Sequence, residues 1–193
     1  VDGQARLGPP GAVVANGLQT NGTLIDSELA RLFADYHFLL GVSLDGPEPI
    51  HDHFRRNGAG AGTYAAVRRG IDCLQRHEVA FNILTLVTSR SARKAAEIYR
   101  FHVAQGFRHH QYIPCVEYAA DGSALPWTVS ATDWGRFLCD LFDEWYPRDT
   151  RRVSIRLFDS ILARIVDQAV TVCHFGGDCR QYFVVEHNGD IYP

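Results

Sequence analysis

The chain alternates between short runs of β-forming apolar residues and longer stretches with helical periodicity, and this alternation is the strongest constraint on its fold. Strands are predicted at residues 13–19, 38–43, 81–87 and 111–114. Helices are predicted at about residues 27–36, 63–74, 92–105, 130–147 and 155–168. Strands joined by helical crossovers imply a parallel sheet, either a barrel segment or a doubly wound sheet.

Residues that favour helix ends flank several of these segments. Thr63 is predicted to cap the helix that follows it, Gly106 to end the next helix, and Ser130 to cap a strongly amphipathic one. We expect Cys73 and Cys139, which fall within helices, to belong to the core. The other residues predicted to face inward from the helices are Leu29, Leu32, Phe33, Tyr64, Val67, Ile71, Leu74, Ile98, Phe101, Trp134, Phe137, Leu138, Leu141, Phe142, Trp145, Ile155, Phe158, Leu162 and Ile165.

The bulk composition argues against several classes of partner. The 193 residues include 19 Lys+Arg and 22 Asp+Glu, a formal net charge of −3, so no overall positive field favours nucleic acid or an anionic membrane. No apolar run reaches the roughly 18 residues that a membrane span needs. Five cysteines, an odd number, argue against a disulfide framework, and we expect a reducing, cytoplasmic setting.

Both ends of the chain read as connecting or interrupted segments. The first dozen residues are rich in Gly, Pro and Ala and show no periodicity, so they are predicted to be a connection. At the other end, Asn188-Gly189 between apolar runs predicts a hairpin whose second strand stops after about two residues. We therefore expect the chain to be the middle part of a longer α/β enzyme.

Polar residues at the carboxyl ends of the predicted strands are the functional candidates, because ligands of parallel α/β folds bind there. Gln19 and Asn21 follow the first strand and offer hydrogen-bonding groups. Ser43 ends the second strand and Arg55 lies just beyond, a pair that suits a ligand carrying a ribose and a carboxylate. Taken alone, these residues favour a purely structural alternative. In that alternative the residues after the first strand form a turn, and Arg55 forms a surface ion pair.

Two further groups contain cysteine. At the end of the fourth strand, Ile113 could pack against a flat ring and Glu117 could face the site, while Cys115 is expected to be a small buried residue rather than a ligand. Farther along, the Gly-Gly between Cys173 and Cys179 lets both thiolates approach one inorganic centre. That spacing alone leaves zinc, an iron–sulfur cluster, a redox pair or no function open.

Taken together, these motifs resemble the radical S-adenosylmethionine (SAM) enzymes that carry a C-terminal auxiliary iron–sulfur domain, the SPASM group. The agreement is best with its anaerobic sulfatase-maturating enzymes and covers about residues 13–193. In order along the chain, the segments that carry it are LQTNGTLID, FLLGVSLDGPEPIHDHFR, GAGTY, FNILTLV, QYIPCVE, WGRFLCDLFDEW and CHFGGDC…EHNGDIYP. The resemblance implies a portion of a partial (β/α)6 TIM-like barrel, followed by the start of a cluster-binding segment.

The same resemblance implies a reaction and roles for individual residues. A [4Fe-4S] cluster cleaves SAM reductively, and the 5′-deoxyadenosyl radical removes hydrogen from a Cys or Ser side chain of a sulfatase, which is oxidised to formylglycine. Ser43 and Arg55 match residues that bind the ribose and the methionine carboxylate of SAM. Ile113 matches an apolar contact to the adenine. Asn21 lies near the same ligand, with Gln19 facing the substrate side.

Cys173 and Cys179 match two ligands of the first auxiliary [4Fe-4S] cluster. The implied partners are a sulfatase polypeptide with a Cys/Ser-x-Pro-x-Arg site and an electron donor such as flavodoxin or ferredoxin. The family's CxxxCxxC and Gly-Gly-Glu motifs are expected before Val1, and a cluster-ligating Cys followed by an Asp is expected after Pro193. We therefore predict that the chain alone has no catalytic residue and is inactive.

The implied organisation has three parts. Residues 1–118 form an incomplete radical SAM barrel, 119–170 the helical barrel end and a linker, and 171–193 the start of the auxiliary-cluster domain. The alternatives are another SPASM-type enzyme that modifies a different peptide or protein, a non-catalytic iron–sulfur module, and a metabolic α/β barrel with a structural zinc. The non-catalytic module would leave Ser43, Asp45 and Arg55 without a role.

Overall fold

The computed structural model describes residues 2–172, 175–176 and 183–192, which fall into two compact units divided between Ser154 and Ile155. The helices are α1 (Asp2–Leu7), α2 (Ser27–Asp35), α3 (Glu48–Phe54), α4 (Tyr64–Arg76), α5 (Ala95–Ala104), α6 (Ala131–Trp145) and α7 (Arg156–Val166). The strands are β1 (Gly17–Thr20), β2 (Leu39–Ser43), β3 (Phe81–Val87), β4 (His109–Pro114), β5 (Ser154–Ile155), β6 (Val184–Val185) and β7 (Ile191–Tyr192).

Strands β1 to β5 lie side by side in the order in which they occur along the chain. The pairs β1–β2, β2–β3 and β3–β4 are all parallel, which confirms the predicted α/β class. A doubly wound sheet reverses its strand order at a switch point, whereas a barrel adds each strand beside the previous one. The observed order is therefore that of a barrel segment.

The two faces of this sheet differ in chemistry. On one face Leu40, Val42 and Ile83 are fully buried against α2 and α4, in a core that includes Phe33 and Ile71. Side chains alternate between the faces of a strand, so the residues between these point the other way. We call that second side the polar face; its members include Gln19, Ser43, Asn82, Gln111 and Ile113, all half-buried or exposed.

Two predictions about elements were wrong, and one helix was not predicted. The first dozen residues contain α1, a six-residue helix, and the segment after β2 contains α3, a seven-residue helix with proline in its first turn. Helices of under two turns show no readable period, which explains why both were missed. Strand β1 begins at Gly17 rather than at Val13, whose side chain is 95% exposed.

The inward faces were predicted correctly near the sheet and less well elsewhere. Phe137, Leu141 and Trp145 of α6 are buried as expected, and Ser130 Oγ caps that helix by accepting from Asp133 N. Helix α2 buries Ala30 and Phe33 instead of a stripe that includes its leucines. The residues predicted to be inward that are instead exposed are Leu29, Leu32, Cys139, Phe142, Leu162 and Ile165. The apolar residues of a helix that covers one side of a sheet occupy a wide stripe of its surface. Only the part of that stripe that contacts the sheet is buried.

The second unit contains α7 and the hairpin β6–β7. Val184 pairs with Tyr192 and Val185 with Ile191 in antiparallel register, and Gly189 has a φ of +89° in the turn. The predicted hairpin is thus confirmed. Across the described ranges, no helix combines the length and hydropathy that crossing a bilayer would require.

Candidate functional site

The carboxyl ends of β1, β2 and β4 bring three of the predicted residues to the polar face. Gln19 pairs with Gly41 on β2, Ser43 pairs with Leu84 on β3, and Ile113 of β4 pairs with Leu86 of the same strand. With strands about 4.8 Å apart and residues about 3.3 Å apart along them, Ser43 and Ile113 are roughly 12 Å from one another. One elongated ligand lying across the sheet could contact both.

The side chains of Leu84 and Gln19 lie beside Gly41 on this face. A Cβ atom at Gly41 would stand 2.8 Å from Leu84 Cδ1 and 3.4 Å from Gln19 Cγ. The first distance is too short for a real contact, so the Leu84 side chain can lie beside position 41 only because that position has no side chain.

Asn21 lies in the turn after β1. Its Oδ1 accepts from Thr23 N at 3.1 Å and from Thr23 Oγ1 at 3.0 Å, so the acceptor stabilises the turn itself. Gly22 follows with a φ of +73°, a conformation that glycine adopts without strain. The Asn21 side chain is exposed, which leaves its amide N–H groups available to a ligand.

Arg55 lies at the carboxyl end of α3 and forms an ion pair with Asp45. Arg55 Nε donates to Asp45 Oδ2 at 2.5 Å, and Nη2 donates to Oδ1 at 3.1 Å. The two side chains are only 26% and 10% exposed, so the pair is not the surface ion pair that the sequence alone favoured. Ser43 is half-buried at the end of β2, two residues before Asp45.

Asp45 was grouped with Ser43 and Arg55 from the sequence, but its hydrogen-bond partners were not predicted. It follows β2 by two positions, and its Oδ1 accepts from Leu86 N of β3 at 2.9 Å. The Asp45 carboxylate thus accepts the hydrogen bond from β3 that a main-chain carbonyl oxygen of β2 would accept if the strand continued. The only available signal was an acidic residue before a glycine, which is also a common turn pattern.

His51 was missed as well, and it is fully buried behind Asp45. Its Nδ1 accepts from Asp45 N at 3.3 Å, and its Nε2 lies 3.1 Å from Thr63 Oγ1. Burial lowers the pKa of His51, although the nearby Asp45 carboxylate opposes that shift. Thr63 precedes α4 but does not cap it with its hydroxyl, contrary to our prediction; Asp52 Oδ1 accepts from Tyr64 N instead.

The residues at the end of β4 and just after it lie partly in the site and partly around it. Ile113 is half-buried on the polar face, whereas Cys115 is buried as expected, and burial raises the pKa of its thiol. Glu117 is exposed, and its Oε2 accepts from Trp127 Nε1 at 2.6 Å. The Glu117 carboxylate therefore stabilises the loop at residues 116–129.

A cavity of about 110 Å³ adjoins the Asp45–Arg55 pair. Its apolar wall includes Ile50 and Phe54 of α3 together with Leu86, and its polar rim includes Arg90 and Lys94. Lys94 pairs with Glu97 at 3.4 Å. The cavity is smaller than an ordinary cofactor pocket, so it extends the site rather than forming it.

The predicted cluster ligands Cys173 and Cys179 lie outside the described residues. Within residues 2–172, 175–176 and 183–192, no three His, Cys, Asp or Glu side chains are grouped so that they could hold a metal ion. The assignment of these two cysteines therefore stays a prediction.

Comparison with known proteins identifies close relatives, although no family model matches the chain. The chain is 39% identical over 184 residues to a cysteine-type anaerobic sulfatase-maturating enzyme of Clostridium perfringens, covering 93% of this chain and 50% of that enzyme. It is 33% identical over 197 residues to a serine-type enzyme of Bacteroides thetaiotaomicron, covering 94% of this chain and 48% of that enzyme. It thus spans about half the length of the curated relatives it matches.

The solved structure of native anSMEcpe with bound AdoMet (SAM) and the Cp18Cys peptide has the same fold. The two superpose with a TM-score of 0.90 at 35% identity, over 98% of this chain and 54% of that one. The predicted barrel segment and the predicted resemblance are both confirmed. The chain is homologous, over nearly its whole length, to these radical SAM enzymes.

Proposed function

From this homology to the anaerobic sulfatase-maturating enzymes, we propose that the chain is the SAM-binding part of an oxidoreductase that converts a Cys or Ser side chain of a sulfatase to formylglycine. The observation that carries the proposal is the set of side chains at or just beyond the carboxyl ends of β2 and β4, the two strands that flank β3. Ser43, Arg55 and Ile113 supply a hydroxyl, a cation and an apolar surface at one edge of a parallel sheet. SAM has a ribose, a carboxylate and an adenine to match these groups.

The donor set fits SAM when each group is considered in turn. The Arg55 guanidinium uses only its Nε–Nη2 edge for Asp45, so its remaining N–H groups can bind the methionine carboxylate. The Ser43 hydroxyl would bind the ribose, and Ile113, roughly 12 Å away across the sheet, would lie against the adenine. Asn21 would bind the same ligand through its side-chain amide, with Gln19 toward the peptide.

Bound together with a [4Fe-4S] cluster, SAM would supply the radical that removes a hydrogen atom from the substrate side chain. The residues of this chain would bind and orient the cofactor, and we assign no catalytic residue among them. Cys173 and Cys179 would hold part of an auxiliary cluster, which accepts or relays an electron. An electron donor such as flavodoxin or ferredoxin would reduce the protein in the cytoplasm.

The substrate would be a sulfatase polypeptide with a Cys/Ser-x-Pro-x-Arg site. Among the relatives, anSMEcpe has been solved with a bound peptide. Both cysteine-type and serine-type enzymes are similar to this chain, and the identities of 39% and 33% do not differ enough to choose a target residue. We also propose the division into residues 1–118, 119–170 and 171–193 as barrel, barrel end with linker, and the start of the auxiliary-cluster domain.

The test uses the complete protein, reconstituted anaerobically with iron and sulfide. It is incubated with SAM, a reductant and two peptides that differ only in Cys or Ser at the target position. We expect 5′-deoxyadenosine and a formylglycine peptide, both detected by mass spectrometry. SAM cleavage without formylglycine would favour another SPASM-type peptide maturase, and iron–sulfur absorption without SAM cleavage would favour a non-catalytic module.

A further inference from the structure

The Asp45 carboxylate makes contacts that fix both its position and that of Arg55. Its Oδ1 accepts from Leu86 N at 2.9 Å, which ties it to β3, and both oxygens accept from the Arg55 guanidinium. Asp45 is 7% exposed, so these bonds are shielded from water. A charge-assisted bidentate pair of this kind sets the plane of the guanidinium as well as its location.

This geometry leaves a defined part of Arg55 free. Of the five N–H donors of a guanidinium, the pair with Asp45 uses the Nε–H and one Nη2–H. The Nη1–Nη2 edge remains, and it can bind a second carboxylate in a bidentate way. Asp45 therefore determines which edge of Arg55 is presented to a ligand.

A second set of hydrogen bonds joins the two ends of the segment between Asp45 and Arg55. A main-chain N–H can only donate, so His51 Nδ1, 3.3 Å from Asp45 N, must accept. His51 is then the neutral tautomer with a proton on Nε2, which donates to Thr63 Oγ1 at 3.1 Å. Thr63 Oγ1 in turn donates to the Arg55 carbonyl oxygen at 3.1 Å, and Thr63 N donates to that same oxygen.

We propose that Asp45, His51 and Thr63 are positioning residues that direct the free guanidinium edge of Arg55 toward the carboxylate of SAM. Asp45 sets the orientation of the side chain, and the His51–Thr63 chain sets the main chain that carries it. This inference rests on the proposed function, since it assigns Arg55 to the methionine carboxylate. It adds three residues that would affect the binding of the SAM carboxylate and of no other group of the cofactor.

The discriminating ligand is decarboxylated SAM, which lacks the group that Arg55 would bind. In the complete protein with its clusters, the affinity for SAM and for decarboxylated SAM is measured by isothermal titration calorimetry. For Asp45→Asn and His51→Asn we expect SAM to bind about tenfold more weakly or worse, as for the loss of one hydrogen bond to a charged group. The affinity for decarboxylated SAM should stay as in the wild type.

The threonine provides a graded version of the same test. Thr63→Val removes the hydroxyl that joins His51 to the Arg55 carbonyl oxygen and should weaken SAM binding. Thr63→Ser keeps that hydroxyl and should bind SAM as the wild type does. Glu48→Gln removes an exposed carboxylate from the same helix as His51 and serves as the matched control, with both affinities unchanged. Thermal unfolding of each variant separates a local effect from a loss of folding.

Several results would overturn the inference. Equal weakening of both ligands in Asp45→Asn would mean that these residues only stabilise the fold. Unchanged SAM affinity in Asp45→Asn and His51→Asn would mean that Arg55 is oriented without them. A wild-type protein that binds SAM and decarboxylated SAM equally well would refute the assignment of Arg55, and one that binds neither would refute the proposed function itself.

Discussion

Gly70 of α4 lies directly against the carbonyl oxygen of Gly22, in the turn after β1. A Cβ atom at position 70 would stand 2.2 Å from that oxygen, so α4 approaches the turn only because position 70 has no side chain. The neighbouring residue Asn21 is a proposed ligand of SAM. The packing of α4 therefore sets the position of a site residue on another element.

The first prediction concerns this contact. Gly70→Ala should destabilise the fold by about 1–3 kcal/mol, because the backbone of the turn must move. Gly135→Ala on α6 is the matched control, since a Cβ there meets no atom within 4 Å and alanine favours a helix by up to about 1 kcal/mol. Urea unfolding measures both, and a Gly70→Ala protein as stable as the wild type would contradict the observed packing.

The second prediction concerns pH. Burial lowers the pKa of His110 from an ordinary value of 6.5 to about 4, and burial lowers the pKa of His102 as well. Between pH 6.5 and pH 4 the unfolded chain binds a proton at position 110 that the folded chain does not. The free energy of unfolding should therefore fall on acidification through this window, by on the order of 3 kcal/mol from His110.

The control for this prediction is the adjacent histidine. His110→Gln removes the titrating group and should make the free energy of unfolding less dependent on pH between 6.5 and 4. His109→Gln changes an exposed side chain whose charge lowers the pKa of His110 less than burial does, so it should leave most of the wild-type dependence in place. If the two variants have the same pH profile, the burial of His110 does not govern acid stability.

A third prediction uses the thiols. Cys139 is exposed on α6, whereas Cys115 is 4% exposed and burial raises the pKa of its thiol. Iodoacetamide should modify Cys139 well before Cys115 in the folded protein, because the reacting form is the accessible thiolate. Peptide mapping by mass spectrometry follows each site, and the difference should vanish in guanidinium chloride. Equal rates in the native protein would place Cys115 at the surface.

The fourth prediction concerns the loop at residues 116–129. Trp127 Nε1 donates to Glu117 Oε2, and Ser89 Oγ donates to the Pro126 carbonyl oxygen at 2.7 Å. Trp127→Phe should remove the first bond and increase hydrogen exchange at amides within the loop, such as that of Leu125, which donates to the Glu117 carbonyl oxygen. Trp134→Phe on α6 is the control and should leave exchange in the loop unaltered.

The local sequence pattern was sufficient to predict features that depend on a single strand or helix. Strand β3 at Phe81–Val87 was predicted to the residue, and its β-rich run is followed by the polar residues Thr88 and Ser89. Ser130 caps α6 as predicted, because a capping bond joins residues three apart. Thr63 has the same kind of side chain at the same kind of position, yet its hydroxyl bonds His51 and the Arg55 carbonyl oxygen. The partners of the Thr63 hydroxyl depend on the position of α3, a helix too short to be predicted from the sequence.

Burial was harder to predict than periodicity. Leu29 and Leu32 have helical spacing, but they are 38% and 44% exposed, since α2 covers the sheet with Ala30 and Phe33. A periodic pattern identifies a helix and its apolar side. Which part of that side is covered depends on the crossing of the helix over the sheet.

The sequence by itself determined the alternation of strands and helices, the parallel sheet and the residues at its carboxyl edge, because these follow from periodicities within each segment. Only the tertiary structure decided how those residues are used. Arg55 is paired with Asp45, ten residues earlier, and Asp45 is held by Leu86 of the neighbouring strand, 41 residues later. Such contacts form when distant segments pack, and no spacing along the chain encodes which edge of a guanidinium remains free.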